Sequence, residues 1–131
     1  MTRDAMSGRP PRFRVERRSL SGAPGVIVRG EVDLDTVARL SEALDEAIRE
    51  SAGAFVVDLT PVEFVDSTGI SALVRARALL ARDHRRLAVV CPPGPVRRLL
   101  DVAGVADLFA LFDSRAAAVL ALRPTAYGRT R

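Results

Sequence analysis

Phe55-Val-Val-Asp-Leu-Thr-Pro-Val-Glu-Phe-Val-Asp66-Ser67-Thr68-Gly69-Ile70 decides the fold. Its first five residues, Phe55 to Leu59, are β-branched, aromatic or apolar with one acid, the composition of a strand covered on both faces. Pro61 then lacks the N–H that a central strand donates, so Thr60-Pro61 is expected to lead the chain out of the ladder. Asp66-Ser67-Thr68-Gly69 is helix-starting chemistry ahead of an amphipathic run. A small hydroxyl is therefore presented at a helix N-terminus beside the C-terminal edge of a strand. In open α/β sheets that edge is where sites lie.

Working outward, Phe13-Arg-Val-Glu-Arg alternates apolar and charged residues like a half-exposed strand. Ser21 to Gly25 reads as a turn, and Val26-Ile-Val28 as the second hairpin strand, closed by Gly30. Asp33 or Asp35 can cap a helix over Thr36 to Glu50, where Val37, Leu40, Leu44, Ala47 and Ile48 recur at helical spacing and Gly53 follows the end. The helix after Ser67 has Ile70, Leu73, Val74, Leu80 and Ala81 near one stripe, with Arg77 falling inside it. Leu87–Cys91 is the next strand. Pro95 suits the first turn of a helix and Gly104 the position past its end, with Val96, Leu99, Leu100 and Ala103 facing inward. Leu108–Phe112 is a last strand, and Ser114 caps a helix reaching Leu122.

The order β-β-α-β-α-β-α-β-α specifies an α/β fold. Right-handed crossovers make the helix-linked strands parallel, the N-terminal hairpin makes the sheet mixed, and four helices cover it. The expected organisation is a basic disordered tail over 1–11, one domain over 12–122 and a flexible basic tail over 123–131.

Composition narrows the chemistry. Cys91 is the only cysteine, which excludes an internal disulfide, and at the end of an apolar strand it reads as a buried structural thiol. One Cys and one His, His84, cannot supply a zinc ligand set. No apolar run has the length of a signal peptide or a membrane span, so the expected compartment is the cytoplasm. Residues 1–18 hold six Arg against two acids and residues 123–131 three Arg and no acid, whereas residues 19–122 hold 11 Arg against 14 acids. The positive charge is thus expected on the tails. With few aromatics on the body, direct nucleic-acid binding is not expected.

Ser67 has two readings from the residues alone. It is a plain N-cap, the commoner case, or an exposed phosphoacceptor, with Thr68 as the neighbouring alternative. Asp66 caps the helix, orients Ser67 or contacts a partner; as a catalytic base it lacks a His near it in sequence, and no Gly-x-Ser-x-Gly motif occurs. Glu31, Asp33 and Asp35 alternate on one face, but ligands from one strand rarely hold a hard cation, and a capping acidic loop is the simpler account. The chain has no lysine, so no Gly-Lys-Ser/Thr phosphate loop and no nucleotide cofactor is expected. Catalysis is not expected from these residues, and the chain does not read as an enzyme.

Val65-Asp66-Ser67-Thr68-Gly69-Ile70, together with Gly30-Glu31-Val32-Asp33 upstream and Pro95-Val-Arg-Arg-Leu-Leu-Asp-Val-Ala-Gly104 downstream, resembles the STAS-domain anti-sigma-factor antagonists, from about Phe13 to Leu122. The resemblance implies a STAS-like fold and phosphorylation of Ser67. It implies partner contacts through Asp33, Asp66, Ser67, Thr68, Gly69, Ser71 and Arg75. The implied partners are an anti-sigma factor that doubles as a serine kinase of the ATP-binding, histidine-kinase-like type, and a phosphoserine phosphatase. STAS domains also serve as non-switching scaffolds or as accessory subunits of signalling and transport assemblies, and that reading stands as the alternative.

Overall fold

The computed structural model describes residues 13–123. The chain runs β1 (Arg14–Leu20), β2 (Ala23–Val32), α1 (Val37–Arg49), β3 (Phe55–Asp58), β4 (Val62–Val65), α2 (Ser67–Ala81), β5 (Leu87–Val90) and α3 (Pro95–Val102). A single tight helical turn at Val105–Asp107 leads to β6 (Ala110–Phe112) and α4 (Arg115–Leu122). The sheet order is β1-β2-β3-β5-β6, with β4 alongside β2. Only β1 is antiparallel to its neighbour; every other pair is parallel. The mixed α/β architecture with an N-terminal hairpin and four helices is as expected from sequence.

The hairpin is tighter than its sequence suggests. Leu20 faces Ala23 across a two-residue turn, Ser21-Gly22, in which both residues have positive φ, 55° and 97°. Such turns match the right-handed twist of the flanking strands, and Gly22 adopts that backbone without penalty. Ala23 to Gly25, expected in the turn, therefore belong to β2.

Gly30 does not close that strand. β2 continues to Val32, with its register shifting between Gly30 and Glu31. Its first half pairs with β3 and its second half with β4. Pro61 takes the chain out of β3, as expected, but the chain returns to the same neighbour one step later as β4, an element the sequence analysis lacked. The Pro61 carbonyl accepts the Gly30 N–H at 3.2 Å, so the proline serves the ladder through its acceptor.

Alternation sorts the strands between two layers. Phe55 and Val57 point into the larger core with Leu40, Leu44 and Ile48 of α1, Leu73 and Leu80 of α2, and Val96 and Leu100 of α3. Val56, Ala88 and Val90 point to the other face, where Leu20, Ile27 and Ala118 of α4 meet them. Burying each of these larger side chains contributes about 1.5–3 kcal/mol. On α2 the buried stripe runs through Gly69, Ala72, Leu73, Ala76 and Leu80, which leaves Arg77 and Ala81 exposed. On α3 only Val96 and Leu100 are buried; Leu99 and Ala103, expected inward, are exposed because this short helix packs at the sheet margin against β4. The last strand begins at Ala110, since Leu108 and Phe109 finish the tight turn after Val105.

Charge is distributed differently from expectation. Arg14, Arg17 and Arg18 lie in β1, so residues 13–123 hold 15 Arg and 15 acids. The proposed tails, 1–11 and 123–131, lie outside the described residues except for Arg123.

Candidate functional site

The parallel pairing of β2 and β4 brings two loops together at the C-terminal edge of the sheet. Glu31 lies beside Phe64 and Val32 beside Val65, and the Asp66 N–H donates to the Val32 carbonyl at 3.1 Å. The turn after β2 and the start of α2 therefore leave the sheet side by side.

Asp66 is the N-cap of α2, with extended backbone. One carboxylate oxygen, Oδ1, accepts from the Thr68 N–H at 2.9 Å, the Thr68 hydroxyl at 2.5 Å and the Gly69 N–H at 3.3 Å. The Thr68 hydroxyl holds this carboxyl below the usual aspartate range, against desolvation that raises it, with backbone N–H groups of Gly69 and Thr68 adding to the lowering. Asp66 is thus an ionised cap engaged by its own turn and is badly placed to act as a base.

Ser67, the first helical residue, is exposed. The loop's side-chain bonds run from Thr68 and Gly69 to Asp66, and among the described residues none engages the Ser67 hydroxyl. Thr68 is half-buried and its hydroxyl is committed. Of the two candidate acceptors, the geometry leaves Ser67 free.

Gly69 is buried where α2 touches the sheet. A Cβ there would stand 2.5 Å from a Val65 methyl and 2.6 Å from a Val32 methyl. Its absent side chain sets how closely the helix start approaches β2 and β4. Ser71 and Arg75 follow Ser67 at four-residue steps and are exposed with it on one side of α2. The Arg75 guanidinium reaches Asp45 of α1 at 3.0 Å and ties the two helices across their surface.

Asp33 closes the neighbouring turn. Its Oδ1 accepts from the Asp35 N–H at 3.0 Å and the Thr36 N–H at 3.2 Å, and Val37 opens α1. Asp33 thus builds the turn ahead of the helix, Thr36 occupies the N-cap without a side-chain cap, and Asp35 is exposed. No three His, Cys, Asp or Glu among the described residues are grouped to hold a metal ion. Cys91 is buried, and burial pushes its thiol up.

Two apolar side chains of this edge escaped the sequence analysis. Leu34, at the tip of the Asp33 turn, is 75% exposed, and Phe64 of β4 is 44% exposed. Phe64 is visible only once β4 exists, for its exposure follows from lying on the outer face opposite Val65. Asp58 was missed as well. It is 1% exposed and accepts from the Thr60 N–H at 2.9 Å, the Thr60 hydroxyl at 2.6 Å and Arg115 Nε of α4 at 2.5 Å.

The STAS domain model matches residues 17–118. The anti-sigma-F factor antagonist RsfB of Mycobacterium tuberculosis is 31% identical over 94 residues, covering 72% of this chain and 76% of that protein. The anti-sigma F factor antagonist of Paenibacillus polymyxa is 28% identical over 111 residues, 84% of this chain and 95% of that protein. Among solved structures, an anti-sigma factor antagonist from Mycobacterium paratuberculosis superposes with a TM-score of 0.79 at 28% identity, over 86% of this chain and 95% of that one. SpoIIAA in its unphosphorylated form shares the fold, with a TM-score of 0.64 at 18% identity over 81% of this chain and 92% of that one. The mixed six-stranded sheet with four helices is a STAS architecture. The chain belongs to the STAS-domain family of anti-sigma factor antagonists.

Proposed function

We propose that the protein is a partner-switching regulator in the cytoplasm, with residues 12–122 as its STAS domain. Unphosphorylated, it binds an anti-sigma factor that is also an ATP-binding serine kinase of the histidine-kinase-like type, and so releases a sigma factor. The kinase inactivates it at Ser67 and a phosphoserine phosphatase restores it. The observation that carries this reading is the exposed, unengaged Ser67 hydroxyl beside a Thr68 hydroxyl already given to Asp66. The chain's role is that of a substrate and ligand, without catalysis of its own.

The physical effect of the modification follows from the site. Phosphate adds about −1.5 to −2 charges at neutral pH. Amides and the dipole at the α2 start tolerate it, so the fold persists. Asp66 and Asp33 lie in the two adjoining turns and Glu63 in β4 just before them, and the edge becomes strongly acidic. A partner packed on Leu34, Phe64, Ser71 and Arg75 around a neutral hydroxyl then meets bulk and like charge. A hundredfold loss of affinity needs about 2.7 kcal/mol, within reach of one misplaced dianion.

The test is incubation of the full chain with ATP and each serine kinase of its own cell, followed by intact mass. A single phosphate, lost in Ser67→Ala and kept in Thr68→Ala, is the expected result. Binding without any phosphate transfer would replace the switch with the scaffold reading, and absence of binding to every candidate would overturn the function.

A further inference from the structure

The face of the sheet opposite α1 and α2 is covered by α4 over the β3-β5-β6 half, up to the β6 edge. Toward β1 the face is charged, and no helix among the described residues packs over it. Strand alternation and the pairing of Arg14 with Arg29, Glu16 with Ile27 and Glu31 with Phe64 put Arg14, Glu16, Arg18, Arg29, Glu31 and Phe64 on this one side. Glu16 is the hub. Arg14 hydrogen-bonds one of its oxygens, while Arg18 and Arg29 stand 3.6 and 3.5 Å from the other, near enough for attraction and too far for a hydrogen bond. That second oxygen has no hydrogen-bond partner among the described residues. Three guanidinium groups, with side chains 60%, 57% and 41% exposed, thus share one carboxylate.

We infer that this face is a docking surface for an acidic polypeptide segment, with Arg18 and Arg29 as its carboxylate-binding forks and Phe64 as its apolar anchor. Guanidinium groups with no bonded acceptor among the described residues, as at Arg18 and Arg29, match carboxylates in two-point geometry. Phe64 sits at the junction with the Ser67 edge, so a protein seated on that edge reaches the open face without a gap. Only the identity of the segment's owner, the partner bound at Ser67, rests on the function proposed above. A polyanion such as nucleic acid fits less well. Glu16 and Glu31 interrupt the positive charge, and among the described residues Phe64 is the one exposed aromatic on this part of the face, where nucleic-acid grooves carry continuous charge and several stacking rings.

The experiment uses the full chain and a fluorescent peptide of about ten glutamates, read by anisotropy at low and high salt, since screening weakens such contacts. Saturable binding that disappears at high salt, and that Arg18→Ala/Arg29→Ala weakens about tenfold or more while Arg82→Ala/Arg98→Ala changes it less than about twofold, is expected. Equal losses in the two double variants, no binding at all, or tighter capture of a single-stranded oligonucleotide with the same Arg18/Arg29 dependence would each overturn the proposal. Ser67→Ala leaves peptide binding unchanged. Failure of phosphorylation therefore refutes the switch alone, and failure of peptide binding refutes this surface alone.

Discussion

Asp58-Leu59-Thr60 and Asp66-Ser67-Thr68 are the same local device used twice within eleven residues. In each, Asp Oδ1 accepts the N–H of the Thr two residues on at 2.9 Å, and the Thr hydroxyl at 2.6 Å in the first and 2.5 Å in the second. Asp58 ends the fully buried β3, and Asp66 follows β4, whose two middle residues are exposed. Their surroundings then diverge. Asp58 is sealed beneath α4 and paired with Arg115, Leu59 between the two polar residues is buried, and Pro61 returns the chain to the sheet. Asp66 stays half-exposed, the middle residue is an exposed serine, and Gly69 lets a helix settle on Val32 and Val65. An Asp-x-Thr turn thus supplies only a fixed bend. What covers it decides whether the bend becomes a structural tie or a presented hydroxyl.

Removing the buried member should cost the most. Asp58→Ala strips Thr60 of its acceptor and leaves Arg115 without its partner; because Arg115 is half exposed and regains water, a loss of about 2–4 kcal/mol is expected by urea unfolding. Gly69→Ala comes next at about 1–3 kcal/mol, since its new methyl overlaps Val32 and Val65 and the helix start must shift. Thr68→Val, which loses one hydroxyl donor to Asp66, should cost about 1 kcal/mol by the same measurement. A serine built at the buried turn, Leu59→Ser with Ser67→Ala, should take up no phosphate from a kinase that modifies the parent chain, as intact mass would show. Uptake at residue 59 would mean that the bend alone, without exposure, makes an acceptor.

The smallest effect is on acid stability. The Asp66 carboxyl is lowered in the folded chain, so its contribution is complete above its unfolded value of about 3.9 and disappears as pH falls through the lower folded value. The gap in urea midpoint between the parent and Asp66→Asn should therefore be constant near neutrality and narrow below about pH 4. A gap that widened on acidification would reverse the sign assigned to Asp66.

Much of the fold was legible because periodicity reports burial. Leu40, Leu44 and Ile48 named the inner side of α1, and the apolar run at Phe55–Leu59 named a strand covered on both faces. The departures lie where tertiary context overrides a local signal. Gly30 and Pro61 are strong local breakers, yet each is accommodated within the sheet region, Gly30 inside β2 at its register shift and Pro61 through its carbonyl. Leu99 and Ala103 obeyed the helical pattern but faced no neighbour at the sheet margin. At the site, Ser67, Asp66 and Gly69 were readable as helix-start chemistry. Leu34 and Phe64 were not, because an apolar side chain left exposed looks in sequence like one that is buried.

By itself, then, the sequence determined the order of most elements, the hydroxyl at the α2 start and the family to which its motifs point, since these depend on spacing and on residues adjacent along the chain. Tertiary structure alone decided that the bend at Asp58 is buried while the one at Asp66 stays at the surface, that β4 carries Phe64 to the surface, and that β1 and β2 gather three arginines around Glu16. Each of these depends on which strand lies beside which, and strand pairing joins residues that the order of the chain keeps apart.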